Sequence, residues 1–362
     1  MLLSHRELDA LRALGDPEAD ATVAALGRDV WMVNAALRHV HRNDEPLPDG
    51  VPPKVRRFLE EQVALPPWFD RARAARAQDF ASRQLFQITL ALFCASLPTA
   101  YGAARGSRVL AATGRMAGKE LDRRVNETAQ FLLDVVAPGA FSPRGSAVRS
   151  IQKVRLMHAA VRAHLAAVEP ERADVAINQE DLLGTLFAFS VVVIRALRRL
   201  GVSVEPEEAE DYYQLWRAVG AMLGIRCEVL PPDFVAACDL TDRIAARQLE
   251  GSEHGRALMA ELLAGMERHM PAALQRAPRL LVRYLVGETL ADALGVPVDR
   301  TAQATLAVAR LIPGVTARPL APVAKRLASV VARPLLESVV GVKLGGAPAA
   351  FAMLDDGALR AY

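Results

Sequence analysis

The stretch KVRLMHAAVRAHL, residues 153–165, sets one histidine between two arginines. At 3.6 residues per helical turn, Arg155, His158 and Arg162 fall along one face. Such a stripe either meets water or faces an anion. A neutral imidazole is a nitrogen ligand for a metal, and the planar fork of arginine matches a carboxylate.

A second polar face lies upstream in LDRRVNETAQFLL, residues 121–133. There Arg124, Glu127 and Thr128 recur at i, i+3 and i+4, while Val125, Ala129, Leu132 and Leu133 supply apolar packing. The Pro/Gly-rich loop 137–146 joins the two helices, so they should run antiparallel with their polar faces available to each other. Read as solvated surface, neither face does chemistry. Read as a buried site, the residue types suit a haem: His158 as axial ligand, Arg155 and Arg162 as cations for its carboxylates. Arg124 or Thr128 would then stabilise bound oxygen, and Glu127 would move a proton.

The rest of the chain must position these groups, and its pattern is helical. Apolar residues recur at i, i+3, i+4 and i+7, alternating strand patterns are scarce, and Pro and Gly cluster at joints such as 43–53, 64–70, 137–146, 200–208, 229–233, 270–278 and 312–319. The segment SVEPEEAEDYYQLW has the serine, proline and acids of a capped helix start. The longest apolar runs, 88–104 and 182–194, read as buried helices: Pro98 interrupts the first, and the second is too short to span a bilayer. The expectation is an all-α fold, one domain over residues 1–362.

Composition narrows the function. Of 362 residues 52% are hydrophobic, 23% charged and 5% aromatic, and the net charge is +3, with no basic tract interleaved with aromatics. That disfavours nucleic acid as a partner. Only five of the 44 basic residues are lysine, leaving 39 arginines. Cys94, Cys227 and Cys238 show no CxxC spacing and read as thiols of a reducing compartment. The N-terminal sequence lacks an export pattern, which makes the cytoplasm the expected location. No P-loop, dinucleotide fingerprint, HExxH or GxSxG elbow occurs. His39 and His41, two apart, would point to different helix faces and make a poor metal pair.

The strings FCASLPTAY, AATGRM, RRVNETAQFLLDVVAPGAFSPRGSA, KVRLMHAAVR, AINQEDLLGTLFAF and YYQLWRAVGAMLGI, in that order over roughly residues 80–295, resemble the rubber oxygenase family. That family comprises the latex clearing proteins and the oxygenases similar to the one in mycophenolic acid biosynthesis. The resemblance implies an all-α fold, a non-covalent b-type haem and dioxygen chemistry. It implies His158 as the iron ligand in an R-x-x-H-x-x-x-R setting, with Arg155 and Arg162 beside the cofactor. Arg124 and Thr128 would lie on the distal side, and Arg283, with Arg279 as a competitor, would be a further cofactor-binding arginine.

Two departures bear on the substrate. Latex clearing proteins carry a distal lysine where this chain has Glu127, and a catalytic carboxylate on an upstream helix, whereas no Asp or Glu occurs between Asp79 and Glu120. The expectation is therefore oxidation, or oxidative C=C cleavage, of a small apolar alkene or prenyl-like molecule rather than polyisoprene. Peroxide in place of dioxygen, and a haem-binding sensor or carrier without turnover, are the alternatives. Oligomeric state is not legible.

Overall fold

The computed structural model describes residues 3–26, 40–112, 118–268 and 275–298, together with positions 37, 270 and 272. Of residues 118–125 only the side chain of Arg123 belongs to that description.

The described residues are helical, apart from turns and one isolated bridge between Ala103 and Leu249. Two short helices, α1 (His5–Leu11) and α2 (Pro17–Ala24), precede α3 (Pro53–Glu61) and α4 (Arg71–Arg83). A nearly continuous rod follows: α5 (Leu85–Ala91), a π-helical turn (Leu92–Ser96) and α6 (Leu97–Gly102), leading to α7 (Ala104–Ala112). Then come α8 (Gly118–Val136) and α9 (Ala147–Val168), which carry the two polar faces, and α10 (Gln179–Phe189), α11 (Val191–Arg199) and α12 (Pro206–Met222). The last are α13 (Phe234–Gln248), α14 (Glu253–Arg268), α15 (Ala277–Val286) and α16 (Glu288–Ala293).

The helix starts follow from local chemistry. Side chains of Ser4, Asp16, Asp70, Asn178 and Asp233 accept backbone N–H groups that would otherwise lack partners at the starts of α1, α2, α4, α10 and α13. The predicted start of α12 is displaced by two residues: Glu205, not Ser203, is the N-cap, and its N–H donates to the Glu208 carboxylate at 3.1 Å.

Both long apolar runs are buried, and neither is a plain α-helix. In the first, Pro98 offers no N–H and crowds the carbonyl four residues back. A π turn takes up the mismatch, with the Leu97 N–H bonded five residues back to the Leu92 carbonyl and the Ser96 hydroxyl donating to the Ala188 carbonyl at 2.6 Å. This stretch, Leu85–Gly102, is long and apolar enough to cross a membrane, but 67% of it is buried inside the protein. The second run, expected as one helix over 182–194, is two. The chain breaks at Ser190, whose hydroxyl donates back to the Leu186 carbonyl at 2.8 Å, a bond that competes with the helix ladder.

Two apolar cores result. The larger joins α4–α6 with α8 and α10–α15, and includes Phe131, Phe189 and Trp216, the last two stacked at 5.0 Å. The smaller gathers Ala19, Val23, Val55, Phe58, Leu59 and Val109. Helix α9 lies between them: Ile151 and Val154 belong to the first core, and Leu156, Ala159, Ala160, Val161 and Leu165 to the second. A helix apolar on both sides is a buried helix, and its few polar residues must find partners inside the protein.

Leu183, fully buried in the larger core, tests that packing. Leu183→Ala should lower unfolding stability by about 2–5 kcal/mol, read as a reduced midpoint in urea denaturation with an unchanged slope.

Candidate active site

A cavity of about 340 Å³ opens between the π turn, α6, α7, α8, α9, α10 and α13. Its wall is mostly aliphatic and aromatic, with Leu92, Leu110, Phe131, Phe187, Phe189 and Trp216 prominent. Glu127, Thr128 and His158 all line it, so one polar residue of the α9 stripe and two of the α8 stripe share the cavity.

His158 sits at a seam on α9. On one side of it along the helix, Val154 and Val161 face the cavity; on the other lie Arg155 and Arg162. The imidazole Nδ1 is buried with no hydrogen-bond partner, and the surface the ring retains belongs to the cavity. Burial, reinforced by the charge of Arg162 and opposed by Asp16, pushes its pKa down to about 3. The ring is therefore neutral at physiological pH and able to act as a nitrogen ligand. Leaving a buried imidazole nitrogen unpaired is costly, which fits a group whose partner is a bound molecule.

The arginines are placed otherwise than expected. Arg155 and Arg162 turn away from the cavity toward α2. Arg155 forms a bidentate pair with Asp16, Nε to Oδ2 at 2.6 Å and Nη2 to Oδ1 at 2.9 Å, and adds Glu18 at 2.8 Å and the Gln62 carbonyl oxygen Oε1 at 2.9 Å. Arg162 donates to Asp20 at 2.7 Å and to the Ile177 carbonyl at 3.3 Å. Arg283 donates to the Val296 carbonyl at 2.7 Å and pairs with Asp292, also at 2.7 Å, and with Glu288, and Arg279 pairs with Glu267. None of the four lines the cavity. The expected row of cations facing one anion is thus corrected: carboxylates of the protein itself have taken those charges, because a buried guanidinium must be paired where it lies.

On the opposite wall, Glu127 is 4% exposed and accepts from Arg123 Nε at 3.1 Å. Arg124 belongs to the same helix, and its side chain lies outside the described residues. His39 lies outside them as well.

Sequence reasoning missed a third polar group. Glu180 and Asp181, in the first turn of α10, also line the cavity. Arg12 bridges them, its Nη1 3.1 Å from each, and Arg247 holds the other Glu180 oxygen at 2.9 Å. Burial raises the Asp181 pKa to about 6 against the pull of Arg12. In sequence these acids look like any dipole-favoured helix start, so only the fold distinguishes them. Beside them, Ile177 adopts a positive φ of 49°, unusual for a β-branched residue, and also lines the cavity.

Among the described residues, no three His, Cys, Asp or Glu side chains converge as a cage for a metal ion. A porphyrin brings four nitrogens of its own and asks the protein for one or two more ligands. The donor set of this cavity, a single neutral imidazole in apolar surroundings, fits that demand.

Fold and cavity together describe an all-α protein whose apolar cavity is lined, among the described residues, by a neutral histidine. The chain belongs to the family of ER-bound oxygenase mpaB/B' and rubber oxygenase catalytic domains, whose model matches residues 83–318. It is 29% identical over 310 residues to the rubber oxygenase of Streptomyces sp. (strain K30), covering 81% of this chain and 74% of that protein. Its structure superposes on latex clearing protein in the closed state with a TM-score of 0.78 and 26% identity, covering 90% of this chain and 91% of the other. The family makes the protein an oxidoreductase of the oxygenase class.

The low pKa of His158 has a checkable consequence. Its folded value lies below the ordinary 6.5, so the stability tied to the neutral ring is present above that value and is lost as pH falls from 6.5 toward 3. In the haem-free protein, nitrogen NMR of labelled histidine should show a His158 ring that does not titrate between pH 8 and 5.

Proposed function

We propose that this protein is a haem b-dependent oxygenase in which His158 ligates the iron and a small apolar alkene or prenyl-like molecule is oxidised, with cleavage of a C=C bond to two carbonyls as the expected outcome. The observation that carries the reading is the partnerless, neutral imidazole of His158 in an apolar cavity. Bound there, a haem would supply dioxygen binding and activation at iron. The chain's residues do the rest. His158 offers a ring nitrogen from a helix fixed between two cores. Thr128 lines the cavity, Glu127 brings a carboxyl able to hold or move a proton, and the aliphatic wall excludes water. The apolar wall sets size and shape rather than identity. Glu127 in place of a distal lysine, and no acid on α5–α7, support a substrate other than polyisoprene.

One observation also supports peroxide as oxidant: Glu127 is a buried acid beside the cation Arg123. An acid that shuttles a proton next to a positive charge suits heterolysis of an O–O bond.

The test is haemin reconstitution. The wild type should give a Soret band that shifts on reduction and on carbon monoxide, and His158→Ala should lose or displace it. Failure of the wild type to take up haem would sink the reading. In the loaded enzyme, Glu127→Gln should retain haem and slow turnover of an alkene probe by about a hundredfold or more. Comparing dioxygen plus reductant with peroxide identifies the oxidant.

A further inference from the structure

We propose that Asp16, with Asp20 beside it, is a positioning residue for His158: the α2 segment, far upstream of the family-matched region 83–318, holds the helix that presents the imidazole and sets the charge behind it. The inference rests on His158 being the iron ligand.

The geometry is that of a clamp. Arg155 lies three residues before His158 and Arg162 four after, so the two guanidiniums leave α9 one turn on either side of the ring. Each is 6% exposed, and each is held by a carboxylate from the same short segment. Fixing both side chains against α2 fixes the rotation of α9 about its axis, and with it the direction of the imidazole between them.

The surroundings are shaped for this contact. Asp16 is 2% exposed; besides Arg155, its carboxylate caps α2 by accepting the Ala19 N–H. The backbone of Gly224 passes so close that a Cβ there would lie 2.3 Å from Asp16 Oδ2 and 3.0 Å from Arg155 Nε, and its φ of +89° suits glycine alone. A Cβ at Gly15 would lie 2.7 Å from Asp20 Oδ2 and 3.2 Å from the Arg162 side chain. The Gln179 amide then ties the two glycines together, donating to both carbonyls at 2.9 Å. Four separate chain segments converge on the pairs flanking one histidine.

The clamp also decides charge. Arg155 and Arg162 alone would set two positive charges behind the ligand, and Asp16, Glu18 and Asp20 offset them. A nearby negative charge favours the more oxidised, more positive iron, so removing it should raise the reduction potential.

The experiment uses the full chain reconstituted with haemin and three variants, Asp16→Asn, Asp20→Asn and Arg155→Lys. Haem loss is followed by transfer to excess apomyoglobin, the ferric/ferrous midpoint by spectroelectrochemistry, and haem-free stability by thermal unfolding. Asp16→Asn should lose haem at least about tenfold faster and show a raised midpoint, with Asp20→Asn moving both in the same direction. Arg155→Lys keeps the charge and loses the fork, so it should release haem faster at a midpoint close to the wild type; it also serves if Asp16→Asn does not fold. Variants that only melt earlier, with haem release and midpoint as in the wild type, would overturn the proposal and leave the pairs as structural struts. A wild type that takes up no haem would instead overturn the reading of His158 as iron ligand, which separates the two failures.

Discussion

Helix α9 is buried on nearly every side, and most of what the structure does follows from how its charged residues are satisfied. Arg149, Arg155 and Arg162 are all less than 10% exposed on one helix. A guanidinium in that position is tolerable only if every donor that can be met is met. Carboxylates from α2, the Gln62 side chain and the Ile177 carbonyl meet most donors of Arg155 and Arg162, while Arg149 Nε and Arg162 Nη2 stay buried without a partner. Docking α2 onto α9 closes the smaller core, and α9 in turn becomes the rigid wall from which His158 looks into the cavity.

The same logic runs around the cavity's other wall. Arg12, at the end of α1, gathers Asp174, Glu180 and Asp181, and Arg247 adds Glu180 and Asp9. Burial works against the charge on Arg12, but its three carboxylates outweigh that and raise its pKa. The N-terminal helices thus reach two walls of the cavity through ion pairs. The rest of the cavity wall is chiefly aliphatic and aromatic groups with one imidazole, beside the paired carboxylates of Glu127, Glu180 and Asp181. On the proposed reading, a neutral nitrogen surrounded by fixed, compensated charges would be preorganised for a cofactor, because no counter-ion would have to leave before it bound.

Helicity and the joints were legible in the sequence because both rest on local rules: periodicity sets which face is apolar, and Pro, Gly and capping residues set where helices end. Those rules failed where a side chain competed with the helix ladder or the ladder changed its register. Ser190 splits a run that looks continuous, and Pro98 leaves the helix running through a π turn instead of ending it. Of the polar groups lining the cavity, Glu127, Thr128 and His158 were legible by face and type. Glu180 and Asp181 were not, since an acid in a first helical turn has the same signature whether it meets water or a cavity.

By itself the sequence determined the all-α class, the polar faces of α8 and α9, and the family they resemble, because side-chain periodicity and motif order are properties of the chain. It also placed Arg155, His158 and Arg162 on one stripe. Which side of that stripe would face the cavity was decided by tertiary structure alone. Helical spacing fixes angles between neighbours but not the rotation of a helix against the rest of the protein. That rotation is set by long-range pairing: Asp16 lies 139 residues from Arg155, and Asp20 142 residues from Arg162. Once those pairs form, the arginines belong to α2, and the imidazole is left to the cavity.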